Sequence, residues 1–254
     1  QKALRGLETG RGGLGNDGKD GEFAAMTPAA LERAVATPSD RRIYAVQAAM
    51  QLGMETEKIH KLTGIDPWFL EEMEEIAAFA KHLRDDIRTL EALTSDAALF
   101  RQAKAFGFSD RQLAHLLATD EHSVRAARHA ANLRPSFQLV DTCAAEFVSL
   151  TPYYYSTYGS AQSTRPPSTH AGDKAQSIMI IGGGPNRIGQ GIEFDYCCVQ
   201  AAFTLRKMGI RTIMVNSDPE TVSTNYDTTD HLYFEPLTVE DILAIYEAEK
   251  PEGV

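Results

Sequence analysis

The chain has 254 residues, 43% of them hydrophobic, with 25 Lys and Arg against 35 Asp and Glu, a formal net charge of -10 and a pI near 5.2. That apolar content is enough to bury one or two cores, and the acidic balance argues against a surface built for nucleic acid or anionic lipid. No apolar run reaches the ~20 residues of a membrane span, and Cys143, Cys197 and Cys198 make neither an even disulfide framework nor a C-x-x-C pair, so they are expected as buried thiols in a reducing, cytoplasmic compartment.

In chain order, RGGLGNDGKDG at residues 11–21 is glycine-rich and polar and predicts a loop or linker. Helices follow. Thr37-Pro-Ser-Asp predicts a cap ahead of Ile43, Ala45, Val46, Ala49, Met50 and Leu52, and Ile65-Asp-Pro-Trp predicts a second helix with Asp66 as cap and Pro67 in the first turn. That helix, to about residue 84, carries Phe69, Leu70, Met73, Ile76, Ala77 and Ala80 on one face. Glu71, Glu72, Glu74 and Glu75 fall mostly on the other, which reads as a solvated face rather than a cation site.

Residues 109–114 and 119–128 have the spacing of a helix-turn-helix, which makes a DNA-binding regulator one alternative. Residues 109–134 hold four arginines against three acids, too little positive charge for a phosphate-neutralising face, so core packing is the preferred reading. The seven histidines lack i, i+4 pairing, and no metal ligand is assigned. Tyr153, Tyr154, Tyr155 and Tyr158 predict a docking surface in which large rings bury area while a hydroxyl stays wet. GSAQSTRPPSTHAGDKAQ at residues 159–176 predicts a weakly structured linker.

Residues 178–181 form a continuous apolar run ending at Gly182, Gly183 and Gly184, the pattern of a strand buried on both faces of a parallel sheet. After Gly191, Ile192, Phe194, Val199, Ala202, Phe203 and Leu205 keep a helical rhythm up to a stop at Gly209, and residues 211–216 predict a second strand. Strand, helix and strand in this order build a right-handed crossover and set the glycine turn at the carboxyl edge of the sheet, where ligands bind. A dinucleotide fingerprint fails, because Arg187 stands where the third glycine belongs and Glu193 and Asp195 would repel a pyrophosphate. Asp218, placed to meet a ribose hydroxyl, keeps dinucleotide binding as a minor alternative. Residues 250–254 are where a third buried strand is expected to begin, and the chain reads as a fragment.

GGGPNRIGQGIEFDYCCV and MVNSDPETVSTNYDTTDHLYFEP resemble the large subunit of the carbamoyl phosphate synthetase family, at the pre-ATP-grasp opening of its second synthetic half. QKALRGLE at residues 1–8 resembles the closing helix of the first half, and VDTCAAEF at residues 140–147 the end of the helical oligomerisation domain. The resemblance implies a multidomain α and α/β chain. Its parts are a tail of the first half (1–18), an all-helical domain (19–158), a linker (159–176) and an incomplete Rossmann-like parallel-sheet domain (177–254).

It further implies an ATP-dependent carbon-nitrogen ligase, serving arginine or pyrimidine biosynthesis. Such an enzyme makes carbamoyl phosphate from bicarbonate, glutamine-derived ammonia and two ATP with magnesium, beside a glutamine-hydrolysing small subunit or domain and as a homo-oligomer through the helical domain. ATP and magnesium ligands are expected outside this stretch, so no catalytic residue is assigned and the isolated chain is expected to be inactive. By resemblance, Glu193, Arg187, Gly191 and Glu220 line an internal carbamate passage, with Gly182, Gly183, Gly184, Asn186 and Gln190 along the turn. The plainer reading of the same residues has Arg187 pair with Glu193 to tie the turn to its helix, and Glu220 cap the segment after Pro219. A purely structural assembly module is the remaining alternative.

Overall fold

The structure is a computed structural model that describes residues 1–149, 151–159, 176–185, 187, 189, 190 and 193–254. The chain divides into a helical unit, residues 1–4 and 10–133, and a sheet unit, residues 5–9 and 134–254.

Ten α-helices are described up to residue 133: α1 (Lys2–Gly6), α2 (Gly21–Ala24), α3 (Pro28–Ala36), α4 (Arg42–Gln51), α5 (Thr56–Thr63), α6 (Pro67–His82), α7 (Leu90–Ser95), α8 (Ala97–Ala105), α9 (Asp110–Leu116) and α10 (Glu121–Ala130). Local chemistry sets most of their starts. Thr27, Asp66, Thr89, Asp96 and Asp120 each accept a hydrogen bond from a first-turn amide, and Ser109 and Gln112 form a reciprocal capping box. Asp66 and Pro67 open α6 as the sequence predicts. Thr37 does not cap α4: its hydroxyl donates back to Arg33 O at 2.8 Å and closes α3 instead.

α4 is buried at six consecutive positions, Tyr44 to Ala49, so it runs through the middle of the unit and has no single apolar stripe. Val46 and Ala49 on this helix and Val35, Ile59 and Leu70 around it are fully buried. Two residues expected on apolar faces lie outside: Leu52 is 60% exposed and Phe69 57%. Phe69 meets Trp68 edge-on at the exposed start of α6. Glu71, Glu72, Glu74 and Glu75 are exposed, as their pattern predicts.

The glycine-rich stretch at 11–21 is a packed loop at its centre. Residues 12–17 are buried, Gly12 N donates to Asp17 Oδ2 at 2.6 Å, and Gln112 Nε2 and Ser109 Oγ donate to the Gly15 and Gly12 carbonyls at 2.7 and 2.9 Å. Gly15 has φ 68°, and a Cβ there would lie 2.6 Å from Gln47 Oε1, so neither the backbone nor the space admits another residue. The helix-turn-helix spacing is present in α9 and α10, but Arg128 is buried and donates to Asp110 at 2.8 Å. A buried, paired arginine does not reach DNA.

The sheet unit contains β1 (Ser136–Leu139), β2 (Tyr153–Thr157), β3 (Ser177–Ile181), α11 (Glu193–Lys207), β4 (Arg211–Asn216), β5 (His231–Phe234) and α12 (Val239–Glu249). The strand order is β1-β2-β5-β4-β3, antiparallel between β1 and β2 and parallel elsewhere. Residues 134–158, expected with the helical domain, therefore contribute two strands to this sheet. Tyr154 belongs to its core, stacked obliquely on Tyr233, while Tyr155 of the expected docking surface is exposed.

β3 and β4 pair in parallel from Ser177 opposite Arg211 to Ile181 opposite Val215, as the crossover requires. Ile213, Met214 and Val215 are fully buried, so β4 is covered on both faces; β3 is not, since Ile181 is 39% exposed. On the other flank of β3, Met179 N donates to Gly253 O at 3.0 Å and Glu252 N to Ser177 O at 2.8 Å, a parallel bridge where the sequence predicts another strand to begin. α11 packs on β3 and β4 and stops at Gly209, φ 77°, with Ile210 N returning to Leu205 O at 3.0 Å. Cys197 on this helix is exposed, contrary to the expectation of buried thiols. No helix of the described residues is long and apolar enough to cross a membrane. The linker expected at 159–176 lies outside the described residues except at its two ends.

Candidate functional site

Because β3 and β4 run parallel, the segments leaving Ile181 and Asn216 emerge at one edge of the sheet. Asn216, the last residue of β4 and 1% exposed, joins them. Its Oδ1 accepts from Gly184 N at 3.1 Å and from Asp218 N at 3.4 Å, and its Nδ2 donates to Ser223 Oγ at 3.3 Å. Gly182 N continues the ladder to Val215 O at 2.8 Å, and a Cβ on Gly182 would stand 2.5 Å from the Asn216 side chain. A glycine is thus required where the backbone passes over the amide.

The second tie comes from Asp195 in the first turn of α11. Its buried carboxylate accepts from Thr221 Oγ1 at 2.8 Å and from Ser223 N at 2.5 Å, so the amino end of α11 is fastened to the loop after β4. That loop is itself stiff: Asp218 Oδ1 accepts from Glu220 N at 2.8 Å, Thr221 and Thr224 cap each other around the 3-10 turn Val222–Thr224, and Tyr153 donates to Thr224 O at 3.2 Å. Burial pushes the Cys198 thiol up and the neighbouring Asp195 charge pushes it further, so it stays protonated near neutral pH. Burial likewise raises Tyr153, with the Asp227 charge adding to it.

Of the residues expected on the passage, Arg187, Glu193 and Glu220 are all exposed and all follow strands that end at this edge. The pairing of Arg187 with Glu193, the plainer alternative, is not what forms. Arg187 Nη2 lies 3.6 Å from Glu8 Oε2, and the Glu8 carboxylate occupies the space a Cβ on Gly184 would need. Glu220 is fixed through its backbone amide on Asp218, not through a capping carboxylate. Gln190 closes a turn, its N–H donating to Arg187 O at 2.9 Å, and Gly182, Gly183 and Gly184 form the bend after β3. Asn186 and Gly191 lie outside the described residues.

Sequence reasoning missed Asn216, Asp195 as a tie, and Glu8. Asn216 was signalled by its place at the end of an apolar strand beside a glycine bend; Glu8 had no signal, being remote in sequence. Asp218, needed by the dinucleotide reading, is buried and turned onto its own loop.

Residues 1–132 match the family model described as the carbamoyl-phosphate synthetase large chain, oligomerisation domain, and residues 174–254 match that of the carbamoyl phosphate synthase preATP-grasp domain. Over its whole length the chain is 52% identical to the carbamoyl phosphate synthase large chain of Synechocystis sp., 50% to that of Rhodopirellula baltica and 47% to that of Archaeoglobus fulgidus. It spans 22%, 23% and 23% of the length of those relatives. With a helical unit and a mostly parallel sheet matching two successive domain families of one enzyme, the chain belongs to the carbamoyl phosphate synthase large-chain family.

Proposed function

We propose that this chain serves within a glutamine-dependent carbamoyl phosphate synthase large chain, the helical unit supplying subunit assembly and the sheet unit part of the wall along which carbamate moves between two ATP sites. The reading implies bicarbonate, glutamine-derived ammonia and two ATP as reactants, and a glutamine-hydrolysing small subunit or domain as partner. Its main support is identity along the full chain to large chains of three organisms, 47–52%, joined to a stiff polar edge that fits the task. Carbamate is lost if it meets bulk water, so a passage needs polar groups on rigid backbone. Asn216 and Asp195 provide that rigidity, and Arg187, Glu193 and Glu220 supply charge at the edge they brace.

ATP with magnesium supplies the phosphoryl groups in such an enzyme, but the glycine turn here does not fit nucleotide phosphates. The Glu8 carboxylate lies on Gly184, and Asp195 takes the Ser223 N–H, so acids stand where phosphate oxygens would need donors. ATP and magnesium are assigned to other parts of the large chain. In the full-length enzyme, Glu193→Gln is expected to impair carbamoyl phosphate formation more than bicarbonate-dependent ATP hydrolysis. Equal loss of both, or of neither, removes the passage role.

A further inference from the structure

Glu8 is a non-glycine residue with φ 52°, in the left-handed region, two residues past the end of α1. Its N–H donates to Arg5 O at 3.1 Å, and a Cβ on Gly6, two residues before it, would meet Ser217 Cβ of the loop after β4 at 3.7 Å. Left-handed backbone at a glutamate is strained and persists where the surroundings over-determine it. Those surroundings are specific. The carboxylate, 24% exposed, fills the space where a Cβ on Gly184, itself at φ 76°, would stand. From that seat it faces the Arg187 guanidinium at 3.6 Å, which is 72% exposed.

An ion pair this exposed adds little to stability, since solvent screens it. What it does supply is a bias: of the many rotamers open to a long arginine side chain, those that reach toward Glu8 are favoured. The carboxylate has no such freedom, because the left-handed backbone and the glycine bend hold it.

We infer that Glu8 is a positioning residue for Arg187, holding the guanidinium at the carboxyl edge of the sheet so that a carbamate anion meets a fixed cation. This rests on the reading that Arg187 lines the passage. It makes a segment remote in sequence, residues 5–9, a working part of the sheet unit. It also gives Gly184 a reason beyond its φ of 76°, since a Cβ there would meet the Glu8 carboxylate, as one on Gly182 would meet Asn216.

The test uses the full-length large chain with its partner, ammonia as nitrogen source, and the ratio of carbamoyl phosphate formed to ATP hydrolysed in the presence of bicarbonate. Glu8→Gln is expected to lower this ratio about three- to tenfold, and Glu8→Gln with Arg187→Gln to lower it no further than Arg187→Gln alone. A purely structural role would lower the melting temperature and leave the ratio in place. If Glu8→Gln does not fold, Glu8→Asp, whose carboxylate is one methylene short of Arg187, is read the same way and is expected to lower the ratio less. Should Arg187→Gln leave the ratio unchanged, the passage reading of Arg187 fails. Should Arg187→Gln lower it while neither Glu8 variant does, or should the two losses multiply, the positioning role fails and the passage reading stands.

Discussion

Asp110 in the helical unit and Asp241 in the sheet unit are both buried carboxylates beside an arginine, and their surroundings drive them in opposite directions. Asp110 lies between Lys104 Nζ at 2.9 Å and Arg128 Nη2 at 2.8 Å, one acid against two cations. Asp241 has Arg5 Nε at 3.8 Å but shares its burial with Glu240 and Glu235, three acids around one cation. At both sites burial is the largest influence and pushes the carboxyl up. At Asp110, Lys104 and Arg128 overcome it, and the carboxyl ends below its ordinary range. At Asp241 the attraction of Arg5 and the Thr238 hydrogen bond do not offset burial, Glu240 and Glu235 repel, and the value is pushed up to about 7. The local balance of charge, more than the existence of an ion pair, decides whether a buried acid holds its charge.

Breaking the stronger cluster should have the largest effect. Asp110→Ala strands two buried cations and is expected to cost about 3–5 kcal/mol in urea unfolding of the helical unit. A loss below about 1 kcal/mol would show that Lys104 and Arg128 find other partners at no cost, and the contrast with Asp241 would lose its basis.

The next effect is a divergence with pH. Asp241 is raised above its ordinary 3.8, so the folded state holds the proton longer than the unfolded one. Its contribution is fully present below that value and is lost as pH rises through about 7. Asp110 is lowered, so its contribution is present above the ordinary carboxylate range and is lost only as pH falls below it. The sheet unit should therefore weaken by a few kcal/mol between about pH 4 and pH 7 while the helical unit stays level. Hydrogen exchange resolved by unit reads this, and Asp241→Asn should flatten the sheet unit's slope. An unchanged slope in that variant would assign the effect to another group.

Asn216→Ala sharpens the comparison as an uncharged control. It should cost the sheet unit roughly 1–3 kcal/mol, with faster exchange at the Gly184 and Asp218 amides, and by the same amount at about pH 5 and about pH 8. A pH-dependent cost would tie Asn216 to the acid cluster.

Features that rest on neighbours in sequence were legible from the residues. The Asp66-Pro67 start of α6, the Gly209 stop of α11 and the strand at 211–216 depend on chemistry within a few positions, and each is where its pattern places it. Thr37 shows the limit of that logic, because a hydroxyl between two helices serves either, and here it serves the one before it. β1 and β2 were not legible, since β2 finds its parallel partner at Leu232 and Tyr233, far downstream. At the candidate site the glycine bend and the acids of α11 were visible as a pattern, but their roles were not. Asp195 reads in sequence as a charge that repels phosphate and in space as the tie to Ser223, and the Arg187 partner stands near the other end of the chain.

The exposed Trp68 at the start of α6 is the chain's one tryptophan, and of its nine tyrosines Tyr44 alone lies in the helical unit. The two units therefore carry separate optical labels. Fluorescence excited beyond the tyrosine band reports the helical unit alone, and near-ultraviolet tyrosine circular dichroism reports chiefly the sheet unit. Because Trp68 is already exposed, with Phe69 set edge-on against it, unfolding should change its emission intensity more than its wavelength. One unlabelled sample can then be followed at two addresses.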